Sequence, residues 1–402
     1  MKKIAFVIPW FSEHISGGAE IALRDLTRHL QDDGVALEIL TTCVEKFGSD
    51  WGTNYFVPGR DTVNGVPVRR FRADAHCEPA LEAVNRKLMA GRSVSPEEEL
   101  SFLNEMVNST DLYAYIRQHR QAYGLFVFIP YMFSVTYFGT AAAGARAAMI
   151  PCFHDESYAH MRLFAERFAE VPGMAFLSAP ESLLAHRMYD LRRTDTEVLG
   201  LGVDDQPGDA ARFRQKYKIP GPFILYAGRK EKGKNVDTLL RYFARYKKQD
   251  AAGVRLVLIG GGEIEIPESV KRDVLDLGFV SRQDKYDAYA AAQLLCQPSL
   301  YESFSVVIME SWMARRPVLV SGRCAVTKNF AVESGGGLYF TDYGEFHGAL
   351  ARLLQDAALA DALGANGEAY VRRHFAWDVV TRKYRAFFDR LSREADARAL
   401  RR

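Results

Sequence analysis

The chain alternates short, unbroken apolar runs with longer stretches in which apolar residues recur every three or four positions. The first kind reads as strands buried on both faces, the second as helices packed by one face. Residues 3–9 (KIAFVIP) form the first such run. After a loop, Gly17-Gly18 opens a helix with Ala19, Ile21, Ala22, Leu23, Leu26 and Leu30 on one face. It ends near Gly34, and residues 36–43 form the next strand. A strand–helix–strand unit implies a right-handed crossover and a parallel sheet. Turn signals at Pro58-Gly59 and Asn64-Gly65 predict a hairpin ending in VPVRRF. Residues 80–120 read as polar helices with a boundary at 91–96, and further strands fall at 124–130, 147–153, 174–178 and 196–199.

Residues 200–208 (GLGVDDQPG) carry glycine, proline and acid without apolar periodicity, and read as a linker. The same alternation then resumes. Apolar runs at 222–227, 254–259, 277–280, 293–297, 317–321 and 338–340 predict strands. Helices are predicted at 235–246, 306–313, from about 325, at 342–355, 357–375 and 377–402. The fold class is α/β, with two doubly wound Rossmann-like domains at 1–203 and 204–375. The final helix, 376–402, returns to the first domain. Residues 125–145 carry no charge, but Pro130, Ser134, Thr136 and Thr140 interrupt them, so a buried strand and a buried helix are expected there rather than a membrane span.

The densest chemistry lies at 297–313, QPSLYESFSVVIMESWM. This is the end of a strand, a polar loop and a buried helix. The helix N-terminus near Ser303, Phe304, Ser305 and Val306 offers N–H groups and a partial positive charge suited to phosphate. Glu302 stands in the loop, and Glu310 lies roughly 9 Å along the helix from Phe304 at about 1.5 Å per residue. Two carboxylates flanking a phosphate site match a sugar, diphosphate and ribose in line. A surface glutamate and a helix-face glutamate beside a core helix would give the same spacing.

Net charge narrows the partners. With 52 basic and 50 acidic residues the balance is +2, which leaves no excess for nucleic acid. The five cysteines form no C-x-x-C pair and read as buried free thiols in a reducing compartment. Residues 1–3 run straight into a strand, so no signal peptide is expected. Gly228-x4-Gly233-Lys234 is most of a P-loop, but Asn235 stands where a Ser or Thr would hold Mg²⁺, which argues against a nucleotide hydrolase. No two aspartates lie two positions apart, and no Cys/His cluster has zinc spacing, so no metal is expected.

Four segments resemble the retaining family 4 glycosyltransferases of the GT-B fold. They are the E-x7-E pair Glu302/Glu310, Gly228-Arg229 with Lys234, the glycine loop Gly17-Gly18-Ala19-Glu20, and His154-Asp155. Two positions depart from that pattern: Asn235 replaces a common Gly after the Lys, and Ser305 replaces the Gly of E-x-F-G. The resemblance implies a deep interdomain cleft and a nucleotide-diphosphate sugar donor of UDP or GDP type. It implies a glycan or lipid-linked acceptor and bacterial surface polysaccharide synthesis. The setting would be cytoplasmic, at the inner membrane face with peripheral membrane contact. It assigns His154 and Glu302 to the donor sugar, Glu310 to the ribose, and Gly17, Gly18, Arg229 and Lys234 to the diphosphate. The loop at Gly262 and the segment at Val280 would face the base. Asp155 is read instead as the cap of a helix beginning near Ser157. A nucleotide-sugar epimerase or hydrolase on the same fold, or an inactive nucleotide- or glycan-binding partner, are the alternatives.

Overall fold

In the computed structural model the described residues are 2–14, 17–249 and 253–400. They form two compact units: residues 1–202 with 380–402, and residues 203–379. The first holds an eight-stranded sheet in the order β3-β4-β2-β1-β5-β6-β7-β8. Its strands are β1 (Ile4–Val7), β2 (Leu37–Thr42), β3 (Gly59–Val63), β4 (Val66–Phe71), β5 (Leu125–Phe128), β6 (Ala147–Met149), β7 (Gly173–Phe176) and β8 (Asp195–Val198). All neighbours pair in parallel except the β3–β4 hairpin. The apolar runs become strands because β1, β2 and β5 are buried along their whole length, so each residue finds a helix on one face or the other.

The second unit holds six parallel strands in the order β11-β10-β9-β12-β13-β14. They are β9 (Phe223–Ala227), β10 (Arg255–Ile259), β11 (Val274–Asp276), β12 (Leu294–Gln297), β13 (Val318–Ser321) and β14 (Gly337–Phe340). In each sheet the chain first winds one way and then the other. The reversal falls between β1 and β5 in the first unit and between β9 and β12 in the second. Strand order therefore marks where a ligand is best received, in the crevice beyond the carboxyl ends at the reversal.

The helix Trp377–Leu400 begins in the second unit, and from Val380 onward belongs to the first. Its apolar stripe of Val380, Tyr384, Phe387, Phe388 and Leu391 is buried. Phe388 packs edge-on against Phe6 of β1, with ring centres 5.9 Å apart. Gly173 admits Leu391 so closely that a Cβ there would lie 2.3 Å from its Cδ1. Arg390 clamps the edge of the sheet through Asp195 at 2.6 Å and Glu197 at 2.7 Å.

Several elements differ from the pattern reading. The helix after β5 is Ser134–Ala143, starting three residues later than its apolar run because Pro130 to Phe133 make a turn. Residues 277–280 are a loop, and β11 lies just before them, with Leu256 to Leu258 pairing with Val274 to Asp276. Helices Arg162–Phe168, Ala179–Met188, Ala210–Tyr217 and Arg282–Ala291 were hidden by short length and polar composition. Cys43, Cys296 and Cys324 are buried as expected of thiols in apolar runs, while Cys152 is half-buried and Cys77 is exposed. Among the described residues no helix is long and apolar enough to cross a membrane.

Candidate functional site

The reversal in the second sheet puts the ends of β9 and β12 side by side. Beyond β9, Gly228 takes φ +148°, and beyond β10, Gly260 takes φ +117°. The two turns touch: a Cβ on Gly260 would fall 2.1 Å from the Gly228 carbonyl oxygen. Lys230 is buried as a strut, donating to the Gly260 carbonyl at 2.5 Å and pairing with Asp276 at 2.9 Å. Arg229 instead is half-exposed, with Glu231 3.2 Å away, and its carbonyl accepts from the Tyr226 hydroxyl at 2.7 Å. Among the cations of this segment, Lys230 is structural, whereas Arg229 and Lys234 lie beyond the strand end.

Lys234 is the second of these. Its ammonium lies 2.8 Å from Glu302 Oε1. Gln297, the last residue of β12, donates to the same oxygen at 3.2 Å and to the Ser299 hydroxyl at 3.0 Å. Burial pushes the Glu302 carboxyl up, but Lys234, with Ser299 and Gln297, outweighs it and holds the group below its ordinary range. Asn235 takes the left-handed conformation, φ 57°, and its amide donates to the Pro298 carbonyl at 3.2 Å. Asn is among the non-glycine residues that most readily take a left-handed position, which fits its standing where Gly is common.

The helix Val306–Met313 starts from Ser305, also left-handed at φ 72°. A non-glycine residue there is strained by roughly 1–2 kcal/mol. Its hydroxyl is buried and finds no partner. The extra oxygen relative to glycine is therefore neither a cap nor a bonded donor. Ser303 and Val306 are half-buried on either side, while the Phe304 ring is buried against Phe330 and Phe375. Any role of Phe304 toward a ligand must come from its backbone. Glu310 is buried in a polar network: Lys285 donates to Oε1, the Tyr286 hydroxyl lies 3.4 Å from Oε1, and the Tyr289 hydroxyl donates to Oε2 at 2.9 Å. Lys285 and Tyr289 escaped the sequence reading. Their spacing of four on one helix is the signal that could have found them. Gly262, at φ +94°, is exposed at the end of the β10 turn, and Val280 is half-buried beside Phe279, whose ring covers Gly261.

In the first unit Gly17 caps the helix Gly18–Asp32 without a side-chain bond. Its lack of a Cβ serves Glu20: a Cβ would lie 1.9 Å from the Glu20 carboxylate, which folds back to accept from the Trp10 indole N–H. Gly18 has open space at the same place. His154, just beyond β6, is half-exposed, with Nδ1 3.7 Å from Glu156 Oε1; the Tyr131 hydroxyl donates to that oxygen at 2.8 Å. Asp155 does not cap a helix. Residues 157–160 form a single 3-10 turn whose cap position is Glu156, and Asp155 pairs with His160 at 2.8 Å instead. Behind this edge, Glu181 is buried and binds the Phe153 and Leu177 amides at 2.7 and 2.6 Å, joining the ends of β6 and β7. Burial pushes its carboxyl up to about 8 in spite of those N–H donors. Among the described residues no three His, Cys, Asp or Glu side chains converge as metal ligands.

Comparison with known proteins bears on the family of the second unit and on the fold. Residues 221–356, which contain the β9 and β12 turns and both glutamates, match the family described as glycosyl transferases group 1. D-inositol 3-phosphate glycosyltransferase of Nocardia farcinica is 29% identical over 215 residues, covering 49% of this chain and 45% of that protein. The chain thus spans about half the length of the curated relatives it matches. Solved structures align over nearly the whole chain. Sucrose-phosphate synthase from Thermosynechococcus elongatus gives a TM-score of 0.71 at 17% identity, covering 97% of this chain and 99% of that one. The Anabaena protein HepE, in complex with UDP and glucose, gives 0.68 at 17% identity, covering 96% and 99%. The fold is GT-B, and the segment holding the β9–β12 site is similar to glycosyl transferases group 1.

Proposed function

We propose that the chain is a retaining glycosyltransferase of family 4 that moves a sugar from a nucleotide-diphosphate donor, UDP-linked in the first instance, to a glycan or lipid-linked acceptor. The observation that carries this reading is the Lys234–Glu302 pair at the reversal between β9 and β12, followed at once by a helix N-terminus. In the proposed reaction the bond from the anomeric carbon to the diphosphate oxygen breaks, and negative charge grows on the leaving diphosphate. Lys234, Arg229 and the amides at 303–306 would meet that charge with fixed positive groups, the arrangement that lowers such a barrier most. Arg229 can bind phosphate by two N–H groups and Lys234 as a point charge. Lys234 would then be shared between the phosphate and Glu302, whose carboxylate is held ionised to accept sugar hydroxyls. No general base is assigned: the leaving phosphate oxygen would take the acceptor proton on the same face, which retains configuration.

Glu310 would take the ribose through lone pairs left over by Lys285 and Tyr289. His154 is assigned to the donor sugar and Gly17-Gly18 to the diphosphate. Gly262 and Val280 are assigned to the base. The cations replace a divalent metal in this scheme, and surface polysaccharide synthesis at the inner membrane face is the setting it suits. The HepE complex with UDP and glucose supports UDP as the donor nucleotide to try first. The test is incubation with UDP-, GDP- and ADP-sugars, with EDTA present, with and without a panel of sugar acceptors. Transfer with retained anomeric configuration bears the reading out. Rapid epimerisation without acceptor, or no nucleotide binding by calorimetry, overturns it.

A further inference from the structure

Four aromatic rings converge on the first unit's carboxyl edge at its own reversal. Trp10 follows β1, Phe47 and Trp51 follow β2, and Phe133 follows β5. Trp10 and Phe133 are buried and meet edge-on at 4.9 Å. Trp51 stacks on Trp10 at 6.1 Å with 23° between the planes, and meets Phe133 at 6.2 Å. Phe47 leans on Trp10 at 5.8 Å and on Trp51 at 5.9 Å, yet 59% of it remains exposed. The Trp51 indole N–H donates to the Phe47 carbonyl at 2.9 Å, which fixes both rings on one short loop. Phe47 and the half-buried Trp51 thus present one fixed aromatic surface at the sheet's ligand edge.

The polar surroundings say what would cover it. Asp50 lies between the two rings in sequence with its side chain 63% exposed. Its Oδ1 accepts from His76 at 2.9 Å and from the Gly52 amide at 3.0 Å, and Oδ2 accepts from Thr53 at 2.7 Å. Those bonds hold the carboxyl at about 2, so it is an ionised acceptor at any working pH. Glu45 stands at the head of the same loop, paired with Lys46 at 3.2 Å. Asp50, and Glu45 earlier on the same loop, offer carboxylate oxygens that accept hydrogen bonds from hydroxyls. An aromatic face beside carboxylates suits the C–H face and the hydroxyls of a neutral sugar ring. Trp10 also donates to Glu20, which ties the rings directly to the Gly17-Gly18 turn.

We propose that Phe47 and Trp51 form a stacking subsite for a neutral sugar residue of the acceptor glycan, with Asp50 taking a sugar hydroxyl. This rests on the transferase reading for the word acceptor, but sugar binding itself can be measured apart from it. The probes are neutral oligosaccharides ending in glucose, galactose or mannose, followed on the full chain by saturation-transfer NMR and tryptophan fluorescence. Binding is expected to weaken about tenfold in Phe47→Ala, the scale of one lost aromatic contact. Trp51→Phe is expected to keep most of it, and UDP binding by calorimetry to stay unchanged in both. If no oligosaccharide of the panel binds, or Phe47→Ala binds them as the parent does, the subsite is refuted. Loss of binding to phosphatidylglycerol vesicles in Phe47→Ala, with sugar binding intact, would assign the rings to a lipid surface and refute it equally. Failure of UDP, GDP and ADP to bind while sugars still do would sink the transferase reading and leave the subsite standing.

Discussion

Lys234→Met removes the ammonium that lies 2.8 Å from Glu302, whose side chain is 9% exposed. Breaking a buried pair from one side costs about 3–5 kcal/mol, because the remaining charge is left desolvated. Lys234 is itself 21% exposed and Gln297 still donates to the carboxylate, so roughly 2–3 kcal/mol is expected here. The pH dependence should reverse as well. In the parent, Glu302 sits below its ordinary value, so its contribution is present above that value and lost as pH falls through the folded one. Without Lys234 the burial that opposed it prevails and the folded value rises. The contribution is then present at low pH and lost as pH rises. Glu302→Gln in the same chain should recover part of the loss, since a neutral amide needs no cation, giving a coupling of about 1–2 kcal/mol. Hydrogen exchange of the β12 and 306–313 amides from pH 4 to 8 is the assay, because a two-unit chain need not unfold in two states. Additive single and double variants, or an unchanged pH slope in Lys234→Met, would show that the pair is not coupled as described.

Ser305→Gly should raise stability by about 1–2 kcal/mol in urea denaturation, since it removes left-handed strain and a buried unpaired hydroxyl; a loss would mean the hydroxyl has a role the geometry does not reveal. Gly260→Ala should cost more than about 3 kcal/mol and abolish nucleotide binding, its Cβ meeting the Gly228 carbonyl at 2.1 Å. Glu310→Gln should raise donor KM about tenfold with kcat within about threefold, the mark of binding that does not change during reaction. Glu181, raised to about 8, lends stability that is full below its ordinary value and lost as pH climbs toward 8. Glu181→Gln should flatten that slope in exchange of the 173–177 amides.

Much of the fold was legible because a strand buried on both faces cannot hide its apolar run. β1, β9 and β12 announce themselves as KIAFVIP, FILYA and LLCQ. Helices such as Arg282–Ala291 were illegible because half their faces meet polar partners: Asp284 and Asp287 are buried in ion pairs with Lys216 and Arg212. The candidate residues were readable as types, and strand order explains why Arg229, Lys234 and Glu302 share one edge. What they bond to was not readable. That Lys234 holds Glu302, and that Lys285 and Tyr289 hold Glu310, depends on helix rotation and on burial, neither of which spacing alone determines.

The helix from Trp377 has a consequence for how the protein is made. Phe6 and Phe388 pack together although nearly the whole chain separates them, so the first unit consists of two segments with the second unit inserted between them. A ribosome must therefore deliver all of residues 203–379 before the earlier unit can close over Gly173 and β1. The later-synthesised half is free to fold first, from contiguous chain and with shorter loops to close. Its entry and exit are also neighbours, since the Val203 amide donates to the Phe375 carbonyl at 2.9 Å and Val203 bridges Ala376. Excised at those points, the second unit would leave its two ends adjacent. A nascent chain stalled before Leu391 would expose the apolar patch this helix covers, and would be a natural target for chaperones.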